Sequence, residues 1–155
     1  MKIIDTIQPM LTPAQSQNAI NNRFYYSALK ENLEAMQQAI EDGADIGFDN
    51  NVTLRKCAER GCAKSVDLLL KAGADISTNK YEALRLAFAN NRKYTVKAIL
   101  ANQTTHQLKT LLAAFKEYLK NEGVKEHPML DIPKIEATIK QRIRNALKSQ
   151  PGITI

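Results

Sequence analysis

The feature that most constrains the fold of this chain is an internal repeat near its middle. The string Gly43-Ala44-Asp45-Ile46 returns as Gly73-Ala74-Asp75-Ile76. Apolar positions return at the same displacement: Phe24, Leu54 and Leu84; Ala28, Ala58 and Phe88; Leu33 and Ala63; Met36 and Val66; Ile40 and Leu70. A period of about 30 residues predicts stacked copies of one small helical unit.

The sequence pattern of each repeat predicts two short helices and a turn. In the second copy, Val52–Arg60 places apolar side chains on one face at helical spacing, and Gly61 is suited to end that helix. Ala63–Lys71 forms a second amphipathic segment that Gly73 ends in the same way. Isolated helices need about 12–15 residues to be stable in water. Each short helix must therefore bury its apolar stripe against a neighbour.

At this point the residues resemble the ankyrin repeat family. Val52-Thr53-Leu54-Arg55-Lys56-Cys57-Ala58-Glu59-Arg60-Gly61 resembles the T-P-L-H-x-A-A-x-x-G helix of that family, with Thr in place of Pro and Arg in place of His. Ser65–Ile76 is similar to its second helix and G-A-D-[VI] ending. The resemblance covers residues 23–103, is strongest over 52–76, and implies three copies: Arg23–Ile46, Val52–Ile76 and Glu82–Gln103. It implies an all-α, ankyrin-like helical solenoid with short fingers.

The repeat is shorter than the family period of about 33 residues. The missing residues fall between Ile46 and Leu54 and between Ile76 and Leu84, where the family has its projecting fingers. We therefore expect short turns at Gly47–Asn51 and Ser77–Tyr81.

The resemblance implies that a protein partner docks on the concave row of first helices. Aromatic and arginine side chains on such a surface are typical interface anchors. Phe48 and Tyr81 have an alternative interpretation, in which they cover the core beneath a shortened turn. The candidate partner-binding residues are Leu29, Lys30, Phe48, Asp49, Glu59, Arg60, Lys80, Tyr81, Ala89 and Asn90.

The two ends of the chain flank the repeats. Residues 1–22 predict an irregular arm or cap with a short helix from Thr12. In residues 104–155, the pattern predicts a helix that Thr105 or Thr104 caps and that runs to Asn121, a stop at Gly123, a loop over Glu126–Pro133 and a final helix over 133–148. We expect these helices to cap the repeats (23–103) within a single structural domain. The alternative is a basic amphipathic helix that meets an anionic membrane or nucleic acid.

Composition and charge limit the class of protein. With 155 residues, 44% of them hydrophobic, the chain is neither collagenous nor disordered. It has no apolar run of about 18 residues, no apolar segment typical of a secretory signal, and two cysteines. These features favour a reducing location, either the cytoplasm or, for a secreted effector, the host-cell cytosol. The net charge is −4 over residues 1–50, +6 over 51–103 and +4 over 104–155.

Sequence motifs give little support for catalysis. The chain has no Gly-rich phosphate loop, G-x-S-x-G, HExxH or CxxC motif. Cys57 is expected to be a buried, inert thiol, and Cys62 lies in the turn between two helices without a nearby His pair. Asp45 and Asp75 sit at repeated turn positions, where local hydrogen bonds to backbone N–H groups explain them. We therefore expect no enzyme, no metal and no cofactor.

These observations predict a monomeric protein-protein interaction module that acts as an adaptor, an inhibitor or an effector. The alternative is a binder of nucleic acid or an anionic surface that uses the +10 charge of residues 51–155. A third possibility is an immunity-like inhibitor, in which the acidic first repeat blocks the basic active site of a toxin or enzyme.

Overall fold

The computed structural model describes residues 12–123 and 131–149. Within these ranges the chain is all-helical, which confirms the all-α prediction. The first eleven residues of the predicted arm and most of the predicted 126–133 loop, with His127, lie outside the described residues. The helices are α1 (Pro13–Leu29), α2 (Leu33–Glu41), α3 (Phe48–Arg60), α4 (Ala63–Lys71), α5 (Thr78–Ala89), α6 (Lys93–Ala101), α7 (Thr105–Asn121) and α8 (Ile132–Lys148).

The chain divides into two compact units between Ile99 and Leu100. The N-terminal unit holds α1 to α5 and most of α6, and the C-terminal unit holds α7 and α8. In the part of the chain described here, none of the helices combines the length and apolarity that crossing a membrane requires.

Helix α1 begins at the predicted cap but is longer than expected. Gln15 N donates to Thr12 Oγ1 (3.2 Å) and Thr12 N donates to Gln15 Oε1 (2.9 Å), which is a reciprocal capping box. The helix continues to Leu29, through the boundary predicted at residue 22. The Gln- and Asn-rich composition of residues 15–22 conceals this continuity, although Ile20 is buried there.

The repetition of the sequence is present in the structure. Helices α3 and α4 return as α5 and α6 at the displacement of the sequence repeat, α1 contacts α2 and α3, and α3 contacts α4 and α5. The predicted core positions Phe24, Leu54 and Leu84 are 1%, 1% and 0% exposed. This repetition in structure agrees with the helix-turn-helix pattern predicted for each copy.

In the second helices, the repeated positions Met36 and Val66 are fully buried as predicted, but the next buried position lies one residue before the repeated pair of Ile40 and Leu70. Ala39 and Leu69 are fully buried, whereas Ile40 and Leu70 are half-buried. The sequence pattern favours the larger Ile40, but the helix buries the smaller Ala39 more completely.

The predicted short turns adopt a left-handed backbone. Asp49, Asn50 and Asn51 have φ of 48°, 52° and 57°, and residues 79–81 repeat this with φ of 52°, 57° and 59°. A left-handed residue that is not glycine costs about 1–2 kcal/mol. Three such residues in a row therefore require compensating interactions.

An arginine further along the same helix supplies part of this compensation. Arg55 donates from Nε to Asn50 O (3.1 Å) and from Nη2 to Asp49 O (3.0 Å). Arg85 makes the same pair of bonds to the carbonyl oxygens of residues 80 and 79, at 3.2 and 2.8 Å. Arg55 stands where the ankyrin motif has histidine, and here its guanidinium holds the turn.

Buried asparagines connect each first helix to the turn that follows the second helix. Asn21 Oδ1 accepts from Asp45 N (2.9 Å), and Asn51 Oδ1 accepts from Asp75 N (3.2 Å). The two aspartates accept in turn from the backbone N–H two residues later, at Gly47 (3.0 Å) and at residue 77 (2.9 Å). This confirms that Asp45 and Asp75 serve the local turn.

Side chains of one repeat also satisfy carbonyl groups at the end of the preceding first helix. Ser65 Oγ donates to Ala28 O (2.6 Å), and Cys62 Sγ donates to Leu29 O (3.6 Å). Arg92 Nε donates to Glu59 O (3.0 Å). The last carbonyls of a helix have no partner within it, so these bonds tie successive repeats together at that end.

The C-terminal unit follows the sequence prediction closely. Thr104 caps α7 through a second capping box, and Gly123 follows the helix with φ of 69°. Asp131 caps α8, with Pro133 in its first turn as predicted. Leu108, Leu112 and Ile139 form its buried cluster, and Leu100, Ile132, Ile135 and Ile143 pack around it.

Candidate functional site

A hollow of about 430 Å³ opens at the C-terminal ends of α1, α3 and α5. The side chains of the hollow stand at these helix ends, where the hydrogen bonds between repeats hold the backbone in place. Six residues line it: Tyr25, Lys56, Glu59, Arg60, Asn90 and Arg92. It is therefore a polar site with an aromatic group at one side.

Charges in the hollow are partly neutralised. Lys56 Nζ and Glu59 Oε2 form an ion pair at 2.8 Å. The hydrogen bond and charge of Glu59 raise the pKa of Lys56, and Lys56 in the same way lowers the pKa of Glu59. Arg60 is exposed and forms no ion pair with any residue of the described ranges. The hollow therefore keeps two positive charges, on Arg60 and Arg92.

Arg92 is held in place by the helix end it covers. Its Nε donates to Glu59 O, and its Cδ lies where a β-carbon on Gly61 would come within 2.7 Å. Gly61 has φ of 86°, so glycine is needed here both for the backbone conformation and for the close approach of Arg92.

We expect Gly61→Ala to destabilise the N-terminal unit by about 2 kcal/mol, through left-handed strain and displacement of Arg92. Gly73→Ala is the matched control, since Gly73 has φ of 100° and nothing within 4 Å of an added β-carbon. It should show the backbone cost alone. Urea unfolding followed by circular dichroism measures both; equal losses for the two variants would mean that the Arg92 contact contributes nothing.

The predicted partner-binding residues fall into two groups, at opposite ends of the first helices. One group lies at the C-terminal ends of α1, α3 and α5: Leu29, Lys30, Glu59, Arg60, Ala89 and Asn90. The other lies at or beside the left-handed turns that open α3 and α5: Phe48, Asp49, Lys80 and Tyr81. Val52–Arg60 spans about 12 Å at 1.5 Å per residue, so the structure does not bring the two groups together.

The exposures of the two groups differ. Phe48 is 46% exposed, so it does not cover the core, whereas Tyr81 is half-buried. Burial, and then the Asp75 carboxylate, raises the pKa of the Tyr81 phenol. At the other end, Glu59 and Leu29 are half-buried while Lys30, Arg60, Ala89 and Asn90 are exposed. The alternative interpretation of these aromatic residues therefore fits Tyr81 better than Phe48.

Sequence reasoning did not identify Tyr25, Lys56 or Arg92 as parts of this site. Tyr25 lies one repeat period before Arg55, so the repeat could have predicted its position on the first helix. Arg92 stands one repeat period after Cys62, at a turn position whose side-chain direction the pattern does not specify.

The two cysteines do not form part of a reactive site. Cys57 is fully buried and Cys62 is 9% exposed. Burial raises the pKa of both thiols, and for Cys62 the Glu31 carboxylate adds to the effect. A thiol whose pKa is raised stays protonated at neutral pH and is a poor nucleophile. Across the described residues, no three His, Cys, Asp or Glu side chains are grouped so as to hold a metal ion.

No protein-family model, curated protein or solved structure matches this chain. The repetition is a property of the chain and its helices. The resemblance to the ankyrin family rests on the residues themselves, above all on 52–76.

Proposed function

We propose that this chain is a non-enzymatic protein-protein interaction module, whose partner docks on the hollow at the C-terminal ends of the first helices. The observation that carries the proposal is the convergence of Tyr25, Arg60 and Arg92 on one opening. Tyrosine and arginine are enriched among residues that dominate binding energy at interfaces. Their backbone is held by helix packing and by bonds between repeats, so little backbone freedom is lost on binding.

The charge of the hollow indicates the chemistry of the partner surface. Lys56 and Glu59 neutralise each other, and the remaining charge of Arg60 and Arg92 favours a partner that presents carboxylates. An adaptor, an inhibitor or an effector could all use such a surface. An ankyrin-like stack acting as a monomer in the cytoplasm stays our working interpretation of the chain.

Capture from a native host lysate tests this proposal, with wild type and Arg60→Glu compared under nuclease treatment. We expect Arg60→Glu to reduce the recovered partner at least about tenfold, because reversal of an unpaired interface charge costs both attraction and steering. Lys97→Glu is the matched control, since Lys97 is an exposed residue of α6 outside the hollow. Mass spectrometry identifies and quantifies the partner.

Tyr81→Ala, tested in the same experiment, distinguishes docking at the left-handed turns from docking at the hollow. If the hollow is the docking site, Tyr81→Ala should leave capture unchanged while Arg60→Glu removes it. Equal capture by Arg60→Glu and wild type would overturn the proposal. Recovery that is lost on nuclease treatment and falls steeply with added salt would favour the nucleic-acid alternative instead.

Exposed basic residues on α8 are the observation that favours that alternative. Lys134, Lys140, Arg144 and Lys148 are all exposed. Binders of single-stranded nucleic acid combine such charge with aromatic stacking platforms, and α8 contains no aromatic residue. We therefore place the nucleic-acid alternative second.

A further inference from the structure

A groove of about 450 Å³ lies between α7 and α8 within the C-terminal unit. Its floor is apolar, with Leu112 and Ile139 buried and Ala113 and Ile143 more accessible. Its sides carry Lys109 and Lys116 from α7 and Glu136 and Lys140 from α8. Polar side chains thus frame an apolar channel on both helices.

The side chains beside the groove carry more positive than negative charge. Lys116 and Glu136 form an ion pair across it, and Lys116 lowers the pKa of Glu136. Lys109 and Lys140 are exposed, and neither forms an ion pair with another residue of the described chain. The three lysines and one glutamate beside the groove therefore leave a net charge of +2 above an apolar floor.

The combination of an apolar floor and positively charged sides favours a peptide over a membrane or nucleic acid as the occupant of the groove. An anionic membrane would need the apolar side chains of α8 to be free for insertion, but Ile139 is 6% exposed and packs with Leu108 and Leu112. Leu147, at 37% exposure, is the large apolar side chain of α8 that is most open to solvent. Nucleic acid would use the lysines but would gain nothing from an apolar floor. A peptide segment with both apolar and acidic side chains uses both features.

We propose that this groove binds an amphipathic, acidic helix of a protein partner, whose apolar side chains enter the channel and whose carboxylates pair with Lys109 and Lys140. Helices in grooves are read by apolar anchors at i, i+3 and i+4. Glutamates on the turns beside those anchors reach lysines on either side of the channel. The groove is a different surface from the hollow of the N-terminal unit, so its occupant can be tested separately.

A fluorescein-labelled synthetic helix tests this inference by fluorescence anisotropy with the full chain. The probe carries leucine at i, i+3, i+4 and i+7 with glutamate at the flanking positions, and a matched probe has lysine in place of glutamate. We expect the glutamate probe to bind and the lysine probe not to bind. The double variant Lys109→Glu with Lys140→Glu should weaken binding about tenfold, since it removes two attractive charge pairs and adds repulsion between carboxylates.

Lys120→Glu with Lys148→Glu is the matched control, because it makes the same change of net charge at exposed positions outside the groove. It should leave binding within about twofold of wild type. Ala113→Gln adds neutral bulk at the channel and should weaken the glutamate probe without any change of charge. Helical circular dichroism checks that every variant is folded.

Three outcomes would overturn the inference. The first is glutamate-probe binding that the groove pair and the control pair weaken equally. The second is binding that Ala113→Gln leaves unchanged. The third is tighter binding of phosphatidylserine vesicles or a single-stranded oligonucleotide than of the peptide, which would assign the surface to those partners.

Discussion

Leu54→Ala is expected to destabilise the N-terminal unit by about 2–5 kcal/mol, the range for removing a fully buried leucine. Leu54 is 1% exposed, and its helix α3 contacts α1, α4 and α5. The cavity would therefore lie between helices of successive repeats, so the loss of packing would destabilise more than one repeat. Urea unfolding followed by circular dichroism at 222 nm gives the free energy of unfolding.

Leu70→Ala is the matched control for this prediction. It removes the same atoms in α4, at a position that is half-buried. We expect a loss less than half that of Leu54→Ala, because solvent already reaches part of the side chain and a smaller cavity remains. Similar losses for the two variants would contradict the difference in burial described above.

Asn51→Ala is expected to cost about 2–4 kcal/mol through loss of hydrogen bonds at a buried position. Asn51 Oδ1 accepts from Asp75 N, and Asn51 Nδ2 donates to Thr78 Oγ1 (3.0 Å). The variant leaves the Asp75 N–H without its acceptor. It also puts alanine at φ of 57°, a conformation that asparagine tolerates better.

Asn50→Ala isolates the conformational part of that cost. Asn50 has φ of 52° and is exposed, and its carbonyl rather than its side chain takes part in the bond with Arg55. We expect about 1 kcal/mol for this variant. The difference between the two variants, obtained from the same urea titrations, measures the side-chain hydrogen bonds of Asn51. A difference near zero would show that those bonds do not stabilise the fold.

Much of the helical architecture could be predicted from the sequence, because its signals are local. The apolar period and the glycine at residue 61 indicate the bounds of α4 and the end of α3, and the two threonines at 104 and 105 indicate the start of α7, where the structure selects Thr104 as the cap. The C-terminal helices have strong apolar stripes, so their predicted bounds agree with α7 and α8 to within a residue.

Local propensity predicts the left-handed turns only in part, because Asp and Asn tolerate this conformation whereas Lys80 and Tyr81 do not favour it. A run of three left-handed residues without glycine is unfavourable by itself, and in this chain it depends on bonds from an arginine several residues later. Arg55 and Arg85 are separated by one repeat period, which is a signal, but the sequence does not say which carbonyl groups they reach.

The candidate site was predicted in part. Glu59, Arg60 and Asn90 follow from their place at the ends of the first helices. Arg92 enters the hollow from the turn before α6 because its guanidinium reaches back to Glu59 O. A tertiary bond of this kind has no local sequence signal, so sequence reasoning could not place it.

The contacts of Arg55 and Asn51 allow one repeat period of this chain to be copied as a unit. Arg55 bonds to the left-handed turn that opens its own helix α3, whereas Asn51 reaches forward to residues 75 and 78. A segment from 47 to 76 therefore contains both the Arg55 bonds to its own turn and the Asn51–Asp75 bond. Copies of that segment joined end to end would each retain these two connections, so the array could be lengthened by whole periods. Phe48 would take the place of Thr78 between copies, so the bond from Asn51 to Thr78 would form in the last copy alone.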